Sequence, residues 1–130
     1  RIDINKLNKD LNKSNSTKSD LMNVISYDEF KNIELKTGKV IAAEKVDKAD
    51  KLLKLQVEIG NEKRQIISGI AEYYSPEDLL NNLIVVVTNL KPATIFGNES
   101  YGMLLAAKKG KALTLVTVDD VNVSSGMQVY

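Results

Sequence analysis

The chain has 130 residues, with 18 Lys or Arg, 17 Asp or Glu and a formal net charge of +1. That length suits one compact domain with a tail, and the balanced charge is not the signature of a strongly basic DNA-binding domain, although RNA binding depends on clustering of lysines more than on their sum. Cysteine and histidine are both absent, which excludes disulfides, thiolate or imidazole zinc sites, and the triads that need an imidazole base. No apolar run approaches the roughly 18–20 residues of a membrane span. Residues 1–20 also lack the apolar segment of a signal peptide, so a cytoplasmic setting is expected. A chain opening on Arg1 reads as an excised piece of a longer protein.

Residues 1–20 (RIDINKLNKDLNKSNSTKSD) are rich in Asn, Lys and Ser. Such a stretch buries too little apolar surface to offset its ordering entropy. It reads as a flexible tether, taken as residues 1–24, ahead of a domain over 25–130. Ile4, Leu7 and Leu11 sit at helical spacing and allow an amphipathic turn there. Ser26 and Glu29 have capping-box spacing, which predicts a short helix through Tyr27–Asn32 with Phe30 and Ile33 pointing inward. From Leu35 the period becomes two. Ile33 and Leu35 form the inward set before Gly38, and Val40, Ala42 and Val46 form it afterwards, so a bend or bulge is expected at Gly38. In KLLKLQVEIG, Leu53, Leu55, Val57 and Ile59 alternate with Lys54, Gln56 and Glu58, the pattern of a half-buried strand. Gly60-Asn61 supplies a hairpin turn into a third strand, RQIISGIA. Ser75, Pro76, Glu77 and Asp78 open a helix of two turns at most. LIVVVTNL then reads as a buried strand and the stretch through Lys91, Pro92 and Gly97 as a loop. YGMLLAA and ALTLVTV form two strands joined around Gly110, and the end of the chain can form a last strand. The expected fold is all-β: an OB-fold, a five-stranded Greek-key barrel with a short helix between the third and fourth strands and extra terminal strands.

The segments KTGKVIAAEKV, ADKLLKLQVEIG, RQIISGIAEYYSPEDL, VVVTNLKPATIFGNES and YGMLLAA occur in that order. Together they resemble the tRNA-binding domain at the C-terminus of bacterial methionyl-tRNA synthetases, over about residues 25–130. The same pattern is similar to free-standing dimeric tRNA-binding proteins and, more distantly, to a yeast synthetase cofactor and a human synthetase-associated cytokine precursor. The resemblance implies a non-catalytic OB-fold without metal or cofactor, which grips the outer corner of folded tRNA by shape and charge. It also implies a homodimer formed through terminal segments, no membrane contact, and a synthetase body upstream of the tether.

The resemblance gives Lys51 a place facing the nucleic acid, where the residues alone also allow a solvated loop lysine. Ser68 has no histidine to activate it, so its hydroxyl is read as a hydrogen-bonding group toward phosphate or base, or as part of an ordinary strand end. Asn89 and Lys91 lie two apart and point to one face if the strand continues, with Leu90 turned into the core. They would share that face with Lys51, Ser68 and Ser100. Ser100 and Met103 match family positions near the RNA, with a core role for Met103 as the alternative, and Tyr101 offers a stacking face. Lys36 stands where many relatives carry arginine, keeping the charge but losing the bidentate fork. Asp119–Asp120 reads as a turn and not a metal site, because neighbours on a strand point to opposite faces.

Ser124-Ser125-Gly126 departs from the prolines common in relatives and is expected to loosen the last connection. Val121, Val123, Met127 and Val129 would leave a poorly covered edge, which favours the homodimer. Two other readings share the fold: a free-standing tRNA-binding protein, and a homodimeric chaperone of the CsaA type. The charged tether and the Asn89/Lys91 pair favour RNA over a peptide groove, as does the presence of only two phenylalanines.

Overall fold

The computed structural model describes residues 23–130, so the tether expected over residues 1–24 falls almost wholly outside the described residues. The chain divides into two units, one ending at Ile33 and the other spanning Glu34–Tyr130. The first contains helix α1 (Tyr27–Lys31). The Ser26 hydroxyl accepts the Glu29 N–H at 3.1 Å and the Glu29 carboxylate accepts the Ser26 N–H at 3.3 Å, the reciprocal pair that the spacing predicts. The Lys31 ammonium lies 5.5 Å from the Tyr27 ring centre. Phe30 is only half-buried and Ile33 is exposed, so neither is the core residue that the sequence suggests.

The second unit is mostly β. Its elements are β1 (Leu35–Val46), β2 (Ala49–Ile59), β3 (Glu62–Ser68), α2 (Pro76–Leu79), β4 (Leu83–Val87), β5 (Ala93–Ile95), β6 (Asn98–Ser100), β7 (Met103–Leu104), β8 (Ala106–Lys109), β9 (Ala112–Leu115) and β10 (Gln128–Val129). The main sheet is antiparallel with order β3-β2-β1-β4-β7, and β10 also pairs with β1; β5–β6 and β8–β9 form separate two-stranded ribbons. The short helix falls between the third and fourth strands, as the sequence predicts. Its Asp78 carboxylate accepts the Ser75 N–H at 3.2 Å, and its Leu79 is fully buried.

Strand β1 is shared between two partners. Leu35–Lys39 pairs with β4, and Lys39–Val46 pairs with β2. Gly38 sits where the strand crosses the core, and a Cβ there would lie 2.6 Å from Val57 Cγ1 and 3.3 Å from Val86 Cγ2. Only hydrogen fits at that position. The change of phase comes later, at Ile41, where the register steps from Val40 opposite Val57 to Ala42 opposite Gln56. The extra residue flips the following side chains, so Ala43 joins the core and Ala42 is exposed, contrary to the sequence expectation for Ala42.

Strand β2 behaves as read. Leu53, Leu55 and Val57 are completely buried and Ile59 nearly so, while Lys54, Gln56 and Glu58 remain half-exposed. Each such aliphatic side chain contributes roughly 1.5–3 kcal/mol by leaving water, as an upper estimate. These residues form the main core with Val40, Ile66, Leu79, Ile84, Val86 and Leu104. All five residues of β4 are buried. Among the described residues no ladder joins edge strands β3 and β7, but Tyr101 N–H donates to Gln65 O at 2.8 Å, and the Gln65 side-chain amide to Glu99 O at 2.8 Å.

Three segments differ from the sequence reading. The expected loop around Gly97 is the β5–β6 hairpin, turning at Phe96 and Gly97 with φ of 52° and 75°. Its Ile95 covers a second small core of Val46, Ala49 and Ile67. The expected strand YGMLLAA breaks at Leu105: β7 stays on β4, and the chain then leaves the main sheet to form β8. The Ser124–Gly126 connection is tied rather than loosened. The buried Thr37 hydroxyl donates to Ser124 O at 2.9 Å and accepts the Met127 N–H at 3.0 Å. Gly126 N–H donates to Thr37 O at 2.6 Å, and Gly60 N–H to the Ser125 hydroxyl at 3.1 Å.

Candidate nucleic-acid interface

The chain enters β1 through Glu34. Thr88, just past β4, donates its N–H to Glu34 O at 2.9 Å and its hydroxyl to the Glu34 carboxylate at 2.6 Å. Glu34 N–H donates back across the pair to the Asn89 side-chain oxygen at 2.9 Å. Lys36 Nζ lies 3.5 Å from the same carboxylate. The Thr88 hydroxyl, and after it the positive charge of Lys36, hold the Glu34 carboxyl below the ordinary carboxylate range. The group therefore stays ionised at neutral pH and neutralises part of the local lysine charge.

Arg64 on β3 reaches the same region. Its guanidinium donates to Thr88 O and, at 3.2 Å, to Tyr101 O, and it pairs with the Glu62 carboxylate. Tyr101 OH donates to the Glu99 carboxylate, which pushes the phenol above its ordinary value. An open cavity of about 500 Å³ lies between Glu62, Lys63, Arg64, Thr88, Leu90, Pro92 and Tyr101. Its walls combine an aromatic face and two apolar side chains with an exposed lysine and an arginine held by Glu62. That chemistry suits a sugar or base face held beside a phosphate.

The predicted site residues fall into two groups. Lys36 and Asn89 meet around Glu34, and Lys91 follows two residues beyond Asn89, exposed. Lys51 and Ser68 form the other group. Lys51 is exposed on β2, its carbonyl accepts the Ala71 N–H at 3.1 Å, and Ser68 is half-buried opposite Leu53. Ser68 and Arg64 are four residues apart on β3, or about 13 Å at the usual strand rise.

Two local arguments from the sequence need correction. Strand β4 ends at Val87, so alternation does not continue through residues 89–91, and Leu90 is 47% exposed instead of buried in the core. Ser100 is 5% exposed, and its hydroxyl accepts the Ile67 N–H at 3.0 Å and donates to Gly102 O at 3.1 Å, so it is committed inside the fold. Met103, by contrast, is 48% exposed opposite Val87. Arg64, Glu34 and Thr88 join the region without any motif in the sequence to mark them. The signal for Arg64 was available: apart from Arg1 it is the chain's only arginine, and it lies in a strand. Among the described residues no group of three or more His, Cys, Asp or Glu could hold a metal ion, and no helix is long and apolar enough to cross a membrane.

The family described as "Putative tRNA binding domain" matches residues 35–127, from the start of β1 to the residue before β10. The chain belongs to this family. This tRNA-binding domain is 54% identical over 111 residues to the methionine–tRNA ligase of Thermotoga maritima, a match covering 85% of the chain and 18% of the ligase. It is 43% identical over 127 residues to the ligase of Methanobrevibacter smithii, covering 96% of the chain and 19% of that protein. The chain thus spans less than a fifth of the length of these relatives. Among solved structures it is similar to a MetRS-related protein from Pyrococcus horikoshii, with a TM-score of 0.79 and 39% identity over 84% of this chain and 100% of that one. The chaperone CsaA of Bacillus anthracis has the same fold, with a TM-score of 0.75 at 23% identity over 82% of this chain and 99% of that one.

Proposed function

We propose that this tRNA-binding domain is the non-catalytic C-terminal module of a methionine–tRNA ligase, working in the cytoplasm and joined to the enzyme by residues 1–24. In this reading it holds the outer corner of folded tRNA by shape and charge, with little preference among tRNA sequences. The family match over residues 35–127 carries the proposal. Lys36, Lys51 and Lys91 would neutralise phosphates, the Ser68 hydroxyl would donate to phosphate or base, the Asn89 amide would bond base or sugar edges, and Met103 would pack beside them. Ser100 is left out because its hydroxyl is internally committed. The hydrogen bonds from Tyr101 and Gln65 support a closed five-stranded barrel. Two copies would pair through the terminal segments, where Val121 is 79% and Tyr130 71% exposed. Filter binding with several unrelated tRNAs tests the function: the expected dissociation constants agree within about tenfold, or roughly 1.4 kcal/mol. Absence of binding, or a thousandfold preference for one tRNA, overturns it.

A further inference from the structure

The β8–β9 ribbon stands off the main sheet. Strand β8 ends on Lys108-Lys109, Gly110-Lys111 form the turn, and no Asp or Glu occurs between Glu99 and Asp119. The turn is tight, with Gly110 in the left-handed region at φ 59°, so Lys109 and Lys111 flank the tip, while Lys108, opposite Leu113, leaves the other face of the strand from Lys109. All four residues of β8 are exposed, and among the described residues β8 has β9 as its only ladder partner. Among the described residues, none of the three lysines is paired with a carboxylate.

An isolated two-stranded ribbon is marginal in water, and this one is braced. Leu113 and Leu115 pack against the main core, and Leu115 N–H donates to Tyr74 OH at 3.2 Å. Leu105 N–H donates to Val85 O and Val116 N–H to Leu105 O, each at 3.0 Å, which fixes the base of the ribbon on β4. The Lys108 ammonium lies 6.0 Å from the centre of the Tyr73 ring. Tyr73 and Tyr74 belong to the segment leaving β3 after Ser68, the same segment whose Ala71 is bonded to Lys51. Through Lys108 and Tyr73, a braced cationic ribbon end therefore adjoins the segment that follows Ser68 and is bonded to Lys51 through Ala71.

We propose that the ribbon end, Lys108, Lys109 and Lys111 beside Tyr73, is a further phosphate-binding element that extends the RNA-facing surface beyond Lys51. This rests on the tRNA-binding reading above. The partner is a polyanion backbone: three lysines at the end of the ribbon provide charge without the planar fork that reads bases, so the element adds affinity and no sequence preference.

The test is K108Q/K109Q/K111Q in the full chain, with tRNA binding measured from low to high salt. Each lost phosphate contact makes the plot of log K against log salt shallower by somewhat less than one unit. Two to three lost contacts flatten the slope by about two, which is about a hundredfold weaker binding at 0.1 M salt if the two proteins converge near 1 M. A parent-like slope in a folded triple variant overturns the proposal while leaving the tRNA reading intact; greater self-association with that slope would mean that the lysines only guard an exposed strand edge. A parent that binds no tRNA fails the underlying reading instead. Thermal melts of both proteins establish that the variant is folded, and K109Q/K111Q, which leaves the Lys108–Tyr73 contact in place, provides a second variant expected to flatten the slope by more than one unit.

Discussion

Replacing Thr37 by valine conserves shape and removes one hydroxyl. That hydroxyl is buried and serves two partners 87 and 90 residues away, donating to Ser124 O and accepting from Met127 N–H. Each bond contributes about 1 kcal/mol net, and a buried group left without its partner costs about 1–3 kcal/mol. Thr37→Val should therefore destabilise the domain by about 2–3 kcal/mol. For a unit of this size 1 kcal/mol moves the melting temperature by roughly 4–8 °C, so the expected fall is at least about 8 °C. Thr37→Ser keeps the hydroxyl and loses a methyl, worth roughly 0.8 kcal/mol. Urea and thermal unfolding of the two variants separate the effects. The reasoning fails if the valine variant is as stable as the parent, or if serine costs as much as valine.

Lys91→Ala should weaken tRNA binding at moderate salt and flatten its salt dependence by somewhat less than one unit, the contribution of one phosphate contact; an unchanged slope in filter binding would remove Lys91 from the surface. Asn89→Ala leaves Glu34 N–H without its side-chain acceptor, so urea unfolding should show a loss of about 1 kcal/mol with the salt slope of binding kept; unchanged stability would count against that bond. Glu34 is held below the ordinary carboxylate range in the folded state, so its stabilisation is present at neutral pH and is lost as pH falls through that lowered value. The melting-temperature difference between the parent and Glu34→Gln should accordingly narrow as pH drops below about 4; a constant difference would contradict the assignment.

The parts legible in the sequence are those written within a few neighbouring residues. The alternation of Leu53, Leu55, Val57 and Ile59, the Ser26–Glu29 cap and the Pro76 helix start all carry local chemistry, and all occur where expected. The β5–β6 hairpin was not legible because its turn is Phe96-Gly97, without the Asn-Gly or Asp-Gly signal of a tight hairpin. The bulge falls at Ile41 and not at Gly38, because a glycine in a strand marks either a bulge or a close approach, and here it is the second. Thr37 and Ser100 have partners far along the chain, and no local window reveals that a polar side chain is needed inside. Of the candidate site, the exposed lysines were readable, whereas the Glu34–Thr88 pair and Arg64 emerge only when β1, β3 and β4 are brought together.

The central claim is recognition of folded tRNA by shape and charge, and a competition experiment tests it directly. A labelled tRNA bound to the full chain is displaced either by the same tRNA, unlabelled and folded, or by a single-stranded RNA of equal length that forms no helices. Both competitors carry the same phosphate charge. The folded RNA should compete at least about tenfold better, a difference of roughly 1.4 kcal/mol assigned to shape. Equal competition would show that the domain responds to charge alone and would contradict the account.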